Sequence, residues 1–463
     1  MKKRAIFDVG GIVPASLPEV SPVMDALSGY IARALRQPLP AEVAERARLH
    51  LVDTVAAMVS GSRLLPGKRA AAYVRTQAGR KDAGVIGTSL ITSVQFAALA
   101  NGMSGHGDET DDTHPPSRTH PGTCIVPAAL AVCERDQLSG QKLLRAMVLG
   151  YDVCARTVIA LAPTPVSSTY GHLFGAAAAA AALLRLDARR VRYVLAYAGQ
   201  QASGLYTRLR DSQHVEKAYA VGGMPAHNGV QTALMVKSGF TGVEDVFSGD
   251  HNLFATYSPA GDPQVLAHGL GQEYEIMRSA IKCWSAGGPI QGPLHVLREM
   301  MALHRIGPDD VEKLVARLPD KELSIVSNRE MPNISLQHLL AVMLVDGTLT
   351  FASAHDVGRM KDQKVRALRQ RIETVGDPGL TDSLRRWRCV MEIRLKDGRT
   401  LRHQTMAALG TAENPISRAV EERKALDLMG RIIGRRRAAE LIAALWNVER
   451  ISNLRALRSL YIR

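Results

Sequence analysis

Between His106 and Pro121 the chain reads HGDETDDTHPPSRTHP, which gathers four carboxylates, three histidines and an arginine into sixteen residues. Side chains of these types can move protons, hold a small anion or cage a cation. Pro115, Pro116 and Pro121 forbid a continuous helix through the second half, so the stretch is expected to be a loop leaving a helix, where its groups can converge on a ligand. Other uses compete with a catalytic one. The first carboxylates would serve equally as a solvated turn paired with arginines, and Asp108, Asp111 and Asp112 with His114 offer ligands that Mg²⁺ or Zn²⁺ takes. A metal site of that kind usually needs a second acidic motif far along the chain, and none stands out.

Two lysines are natural companions for that loop. Lys217 lies in HVEKAYAVGGMPAHNG and Lys282 in SAIKCWSAGGPIQ, each followed by glycines that permit close backbone approach and helix-start amides suited to a carboxylate. Taken singly, either reads as readily as a surface lysine. Tyr170 and His172, just ahead of an alanine run, read on pattern alone as core or hinge residues.

The elements that must position these residues are mostly helical. Glu42 to Gly61 repeats apolar residues at helical spacing and ends on glycine, and Thr92 or Ser93 caps a helix of small residues to Asn101, from which the central loop hangs. Helices are expected next over Cys124 to Glu134, Gly140 to Leu161 with Ser139 as cap, the Ala176 to Ala182 run, Asp187 to Ala202, and Gly222 to Ser238. Successive alanines let neighbouring backbones come close, as a tightly packed helical core requires.

After about Gly271 the composition changes. Val311 to Val326 reads as a strand or helix passing into an irregular connection, and Ser335 to Val345 as a short amphipathic helix. Cys389, Met391, Ile393 and Leu395 alternate with Arg388, Val390, Glu392 and Arg394 before the turn residues Lys396 to Arg399 and a second run from Thr400 to Gln404, the pattern of a β-hairpin. The expected fold class is therefore mostly α. It comprises an unstructured lead at 1–23, a large all-helical domain from 24–271 and 406–463, and a smaller α+β lid domain at 272–405, with helix resuming over Ala419 to Asn447.

With 463 residues, 46% hydrophobic and 22% charged, the chain is long enough to bury more than one core and has a soluble globular balance. No apolar run reaches the roughly 20 residues that cross a bilayer, so no membrane association is expected. The start, MKKRAIFDVGGIVPAS, has the charge of a secretion signal, but Asp8 and two glycines interrupt its apolar core. Five cysteines (Cys124, Cys133, Cys154, Cys283 and Cys389), never in a CxxC pair, argue against a disulfide framework or zinc knuckle and fit a reducing, cytoplasmic setting. The net charge of +14 comes with 5% aromatics and no nucleic-acid module, so it is read as arginine-rich helix faces and a field for an anionic small substrate, with no nucleic-acid partner. Neither GxGxxG nor a P-loop pattern is present, which leaves nucleotide binding without support.

Taken in order, NGMSGHGDETDDTHPPSRTHPGT, LFGAAAAAAALLRLD, EKAYAVGG and SAIKCWS form a set that resembles the MmgE/PrpD family of 2-methylcitrate dehydratases, cis-aconitate decarboxylases and related isomerases, from about Met24 to Leu460. The resemblance implies the same helical domain and lid, a homodimer, a small di- or tricarboxylate substrate and no cofactor. It also implies a site. The family's acidic D-x-D-D-T segment matches Glu109-Thr110-Asp111-Asp112-Thr113, its His-Pro matches His120-Pro121, and its two lysines match Lys217 and Lys282. In that reading His120 is the acid or base, Lys217 and Lys282 stabilise charge on a carboxylate, Asp111 or Asp112 orients the imidazole, and Glu109, Thr113, Asp108 and His172 bind substrate. No metal belongs to it.

The chain departs from the family pattern in places. Glu109 stands where Asp is usual, with Asp108 beside it, and the connection from Thr113 to His120 is one residue longer than in the decarboxylase-like form. A histidine usual ahead of the FGAAAA run falls on Val166 or Ser168, which leaves His172 as the nearest substitute, and a Thr-His beyond Lys282 is replaced by Ala286-Gly287-Gly288-Pro289. The expected activity is a cofactor-independent lyase or isomerase, with dehydration the first expectation and decarboxylation or epimerisation behind it. The alternatives are a metal enzyme built on the acidic loop and a non-catalytic anion-binding protein.

Overall fold

The computed structural model describes residues 20–462 except residue 383, so the expected lead lies, through residue 19, outside the described residues. Its expected end is too late. Ser21 accepts a hydrogen bond from the Met24 amide and Pro22 occupies the first turn, so α1 (Pro22–Arg33) begins before residue 24.

Helices α2 (Ala41–Gly61), α3 (Leu65–Arg75) and α4 (Val94–Gly105) lead to the acidic loop, with a short ladder of β1 (Ala83–Gly84) and β2 (Ile91–Thr92) between the last two. Beyond the loop come α5 (Gly122–Arg135), α6 (Gly140–Ala160), α7 (Thr169–Leu183), α8 (Ala188–Gln201), α9 (Val215–Ala218), α10 (Met224–Lys237) and α11 (Leu253–Tyr257). The alanine run forms the second half of α7, and every alanine from Ala176 to Ala182 is buried. Small residues bring the backbones together here: a Cβ on Gly175 would stand 2.6 Å from the Gly150 carbonyl oxygen of α6. Asp187 caps α8 as expected, accepting from the Arg190 amide at 2.9 Å. Ser93 and Ser139 occupy the cap positions of α4 and α6 without making a side-chain cap bond, and α4 runs past Asn101 to Gly105.

The α+β part contains α12 (Gln291–His304), β3 (Val311–Pro319), α13 (Asp320–Val326), α14 (Leu336–Asp346), α15 (Phe351–His355), α16 (Gln363–Arg369), β4 (Ile372–Asp377), β5 (Cys389–Leu395) and β6 (Thr400–Thr405). Its sheet has the order β4-β3-β5-β6, with β3 parallel to β4 and antiparallel to β5. The hairpin expected from the alternating pattern is β5 and β6, which pair Arg394 with Thr400 across a turn whose Gly398 has φ 90°. Cys389, Met391, Ile393 and Leu395 all face a core shared with α12 and α14. The ambiguous stretch from Val311 resolves into a strand paired on both sides, ended by Pro319, and then a helix.

The chain closes with α17 (Arg418–Ile433), α18 (Arg435–Trp446) and α19 (Arg458–Tyr461). A single helix was expected over most of this length, but Gly434 at φ 85° breaks it in two. Helix α17 returns to α2, where Arg418 pairs with Glu45 and Lys424 pairs with Asp53. Hydrophobic side chains accordingly fall into two large cores, one drawn from Val23 to Ile281 and again from Ile416 to Tyr461, the other from Trp284 to Leu395. Among the described residues no helix is long and apolar enough to cross a membrane, and all five cysteines are free thiols.

Candidate active site

The loop from His106 to Pro121 spans the gap between α4 and α5, and it is not a solvated turn. Asp108, Glu109, Asp111 and Asp112 are all buried. Many of its polar groups serve to hold it in place. Asp112 turns its carboxylate away from His120: Oδ2 lies 2.7 Å from His50 Nδ1 and accepts from the Tyr151 hydroxyl at 2.5 Å, while Oδ1 accepts from the Gly122 amide at 3.1 Å. Gly122 must be glycine for this approach, since a Cβ there would stand 2.4 Å from Thr54 Oγ1. Thr113 donates its hydroxyl to the Thr119 carbonyl at 3.0 Å and exchanges backbone hydrogen bonds with Ala280. His114 is held between Ser117 and Glu275, and Lys424 of α17 donates to the Thr110 carbonyl at 3.2 Å. The Asp112 carboxylate and the Thr113 hydroxyl, expected to orient the imidazole and bind substrate, are therefore engaged as loop anchors, and Asp112 meets His120 Nδ1 through its backbone carbonyl, at 2.8 Å.

The remaining groups converge. Asp111 Oδ2 lies 2.8 Å from His120 Nδ1 and 3.0 Å from His106 Nδ1, and its Oδ1 is 3.4 Å from Lys282 Nζ. Lys282 is also 3.7 Å from Glu109 Oε2, and Glu109 Oε1 forms a close ion pair with Lys217. Glu109 thus links the two lysines. Burial pushes the carboxyl groups of Glu109 and Asp111 up, but their neighbours overcome it: Lys217 and Lys282 hold Glu109, and Lys282 with His106 and His120 hold Asp111, well below the usual carboxylate range. Lys282 is fully buried, and although burial disfavours its charge, Asp111 and Glu109 raise its pKa above the ordinary lysine value.

Lys217 reaches this point because of the glycines that follow it. They form one π turn, Tyr219–Gly223, whose Gly222 backs onto α4 so closely that a Cβ there would be 2.2 Å from the Gly102 carbonyl oxygen.

Two further expected contacts are corrected. His172 does not offer its ring to a ligand: Nε2 accepts from the His120 backbone amide at 2.9 Å, and Nδ1 donates to the Ser168 carbonyl at 3.2 Å. Burial, assisted by His120, pushes its pKa down to about 3, so it is a neutral strut that fixes the His120 backbone. Asp108 is likewise occupied, accepting from the Thr110 amide at 3.0 Å and from its hydroxyl at 2.7 Å, with His355 Nε2 of α15 at 2.9 Å. That last pair ties the loop to the α+β part. Burial alone would depress His355, but the hydrogen bond to Asp108 raises it instead.

Several groups that meet here carry no signal in the sequence pattern. His106 lies within the loop, and His214 stands three residues before Lys217. Their rings lie in a row with His120, tilted to one another by 57° and 40°, the centroids being 4.9 Å apart for His120 and His106 and 5.2 Å for His106 and His214. His214 occupies a left-handed conformation at φ 62°, which no pattern announces, and burial pushes its pKa down to about 3. Arg208 is mostly buried nearby and donates to Ser167 Oγ at 2.6 Å. Where the family's other histidines would fall, Val166 packs on Gly204, Ser168 donates its hydroxyl to the Arg118 carbonyl at 3.1 Å, and the Ala286 to Pro289 segment has no polar side chain.

The metal reading fares poorly on this geometry. Asp108, Asp112 and His114 each turn to a different partner, so the proposed ligand set does not converge. Among the described residues His106, Asp111 and His120 have ligand-like spacing, within 4.8 Å, but the carboxylate they share already accepts from His106 Nδ1, pairs with His120 and faces the Lys282 ammonium.

Two known domain families match the chain along the stretches that build its two large cores. The MmgE/PrpD N-terminal domain matches residues 25–266 and the MmgE/PrpD C-terminal domain residues 284–449. The chain belongs to the MmgE/PrpD family. It is also 27% identical over 310 residues to the cis-aconitate decarboxylase-like protein oryM of Aspergillus oryzae, a match covering 62% of this chain and 63% of that relative. The chain therefore spans just under two thirds of that relative's length. The C-terminal family match continues past Ile416, where the chain has already rejoined the first core, so the family boundary and the packing boundary differ.

Proposed function

We propose that the protein is a cofactor-independent lyase or isomerase acting on a small di- or tricarboxylate, with dehydration of a 2-methylcitrate-like acid the leading reaction. The observation that carries this reading is the linked set His120, Asp111, Lys282, Glu109 and Lys217. Breaking a carbon bond next to a carboxylate requires a group to take or give a proton and cations that stabilise the charge growing on the carboxylate. His120 performs the first role. Its Nδ1 is held by Asp111 and by the Asp112 carbonyl at 2.8 Å, while Nε2 makes no hydrogen bond among the described residues and the side chain keeps 22% exposure. Lys217 and Lys282 perform the second, and Glu109 sets their spacing.

Family membership supports lyase-type chemistry, and the name of the Aspergillus relative favours decarboxylation as the second reading. The α+β part acts as a lid, tied down by Asp108 and His355, and a homodimer is the assembly that membership of the MmgE/PrpD family implies. A cytoplasmic location fits the five free thiols. The test is turnover across a panel of hydroxylated and unsaturated di- and tricarboxylates, wild type against His120→Ala. Product from one acid, lost in the variant, supports the reading; a protein that binds these acids and converts none is an anion-binding protein instead.

A further inference from the structure

On the polycarboxylate reading above, we infer that His106 accepts a hydrogen bond from a hydroxyl group of the substrate, which makes the substrate class a hydroxylated di- or tricarboxylate and not an unsaturated one. The tautomer of His106 decides what its ring can offer. His106 Nδ1 lies 3.0 Å from Asp111 Oδ2, and an ionised carboxylate only accepts, so Nδ1 carries the proton. Nε2 is then a lone pair. It is buried, as is the whole ring, and it has no hydrogen-bond partner among the described residues.

A buried acceptor left without a donor keeps its desolvation penalty uncompensated, so the site gains when a ligand supplies one. The carboxylates of a substrate cannot, because they too are acceptors, whereas a hydroxyl can. Burial disfavours the imidazolium, and although Asp111 opposes it, the net direction is toward a neutral ring, which is the state with the free lone pair. The charged and titratable neighbours of the ring are already engaged or lie tilted against it. Asp111 holds Nδ1, Lys217 is paired with Glu109, and the rings of His120 and His214 flank it at 4.9 and 5.2 Å. His214 Nε2 is also buried without a partner among the described residues.

Two matched pairs of acids test the inference by calorimetric titration of the full chain: citrate against tricarballylate, and malate against succinate, each differing by one hydroxyl. In at least one pair the hydroxylated acid is expected to bind about tenfold or more tightly. His106→Asn keeps an amide donor for Asp111 but has no atom at the Nε2 position. It should reduce that preference to about twofold or less while leaving affinity for the hydroxyl-free acid unchanged. If the variant does not fold, ¹⁵N spectra of histidine-labelled wild type decide: the His106 Nε2 resonance should move with the hydroxylated acid and stay with its partner. Equal affinities within both pairs, a preference that survives in the variant, or an Nε2 signal indifferent to the hydroxyl overturns the inference and leaves the polycarboxylate reading standing. Failure of all four acids to bind removes both.

Discussion

His120 and Asp111 face each other across 2.8 Å, Nδ1 to Oδ2, while the same carboxylate reaches Lys282 through its other oxygen. One carboxylate therefore positions both the imidazole and the ammonium that the proposed reaction uses. Asp112, one residue on, makes no such contact through its carboxylate and anchors the loop instead.

Asp111→Asn should cut kcat by roughly 10²-fold or more, because the amide removes the charge that pairs with both His120 and Lys282. Asp111→Asn combined with His120→Ala should lose less than the product of the two single losses, since part of the effect of Asp111 runs through His120 and the rest through Lys282. Independent, multiplying losses in the steady-state rates would show that no part of the effect of Asp111 runs through His120.

The two lysines should differ. Lys282 is fully buried between Asp111 and Glu109, so Lys282→Ala leaves two carboxylates short of a partner and should cost about 3–5 kcal/mol of stability as well as raising KM and lowering kcat. Lys217 keeps 22% side-chain exposure and leaves Glu109 still near Lys282, so Lys217→Ala should cost about 1 kcal/mol or less while impairing turnover. Denaturant melts of both variants decide it, and equal stability losses would count against the asymmetry.

Much of this site is legible in the residues alone. The proline-broken loop, the lysines each trailed by glycines, the alanine run and the β5–β6 hairpin follow from local rules: proline geometry, glycine clearance, helical spacing and strand alternation. What local rules cannot give is direction. Asp111 and Asp112 are indistinguishable in sequence, and only the placement of His50, Tyr151 and Gly122 turns Asp112 into the core. His172 reads as a spare imidazole because its tie to the His120 amide crosses 52 positions. His214 and His355 escape because the first depends on a left-handed backbone and the second on a contact between the two cores, neither of which leaves a periodic trace.

Acid should destabilise the fold through its buried histidines. His172 and His214 are both pushed to about 3, below the ordinary histidine value, so the unfolded chain binds protons at a pH where the folded chain does not. Their stabilising contribution is complete above about pH 6.5 and is lost as pH falls toward 3. The fold should therefore weaken between about pH 7 and about pH 5, and His172→Gln, which keeps an acceptor for the His120 amide but cannot titrate, should reduce the slope by up to about 1.4 kcal/mol per pH unit. Unfolding free energies at a series of pH values would reveal an unchanged slope if His172 were protonated in the fold.

Chelation should leave turnover intact. His106, Asp111 and His120 are joined through the Asp111 carboxylate and faced by the Lys282 ammonium, which competes with a divalent ion for the same group. Loss of activity on exhaustive treatment with EDTA, restored by Mg²⁺ or Zn²⁺, would reinstate a metal-dependent reaction.

The claim that His120 moves a proton next to a substrate carboxylate is tested most directly by hydrogen exchange. Candidate di- and tricarboxylates are incubated with enzyme in D₂O and followed by proton NMR. The expected result is loss of the signal of a carbon-bound proton adjacent to a carboxylate, or product carrying deuterium there, with the rate falling about 10²- to 10⁴-fold in His120→Ala. Exchange or turnover that proceeds at the wild-type rate in His120→Ala would contradict it.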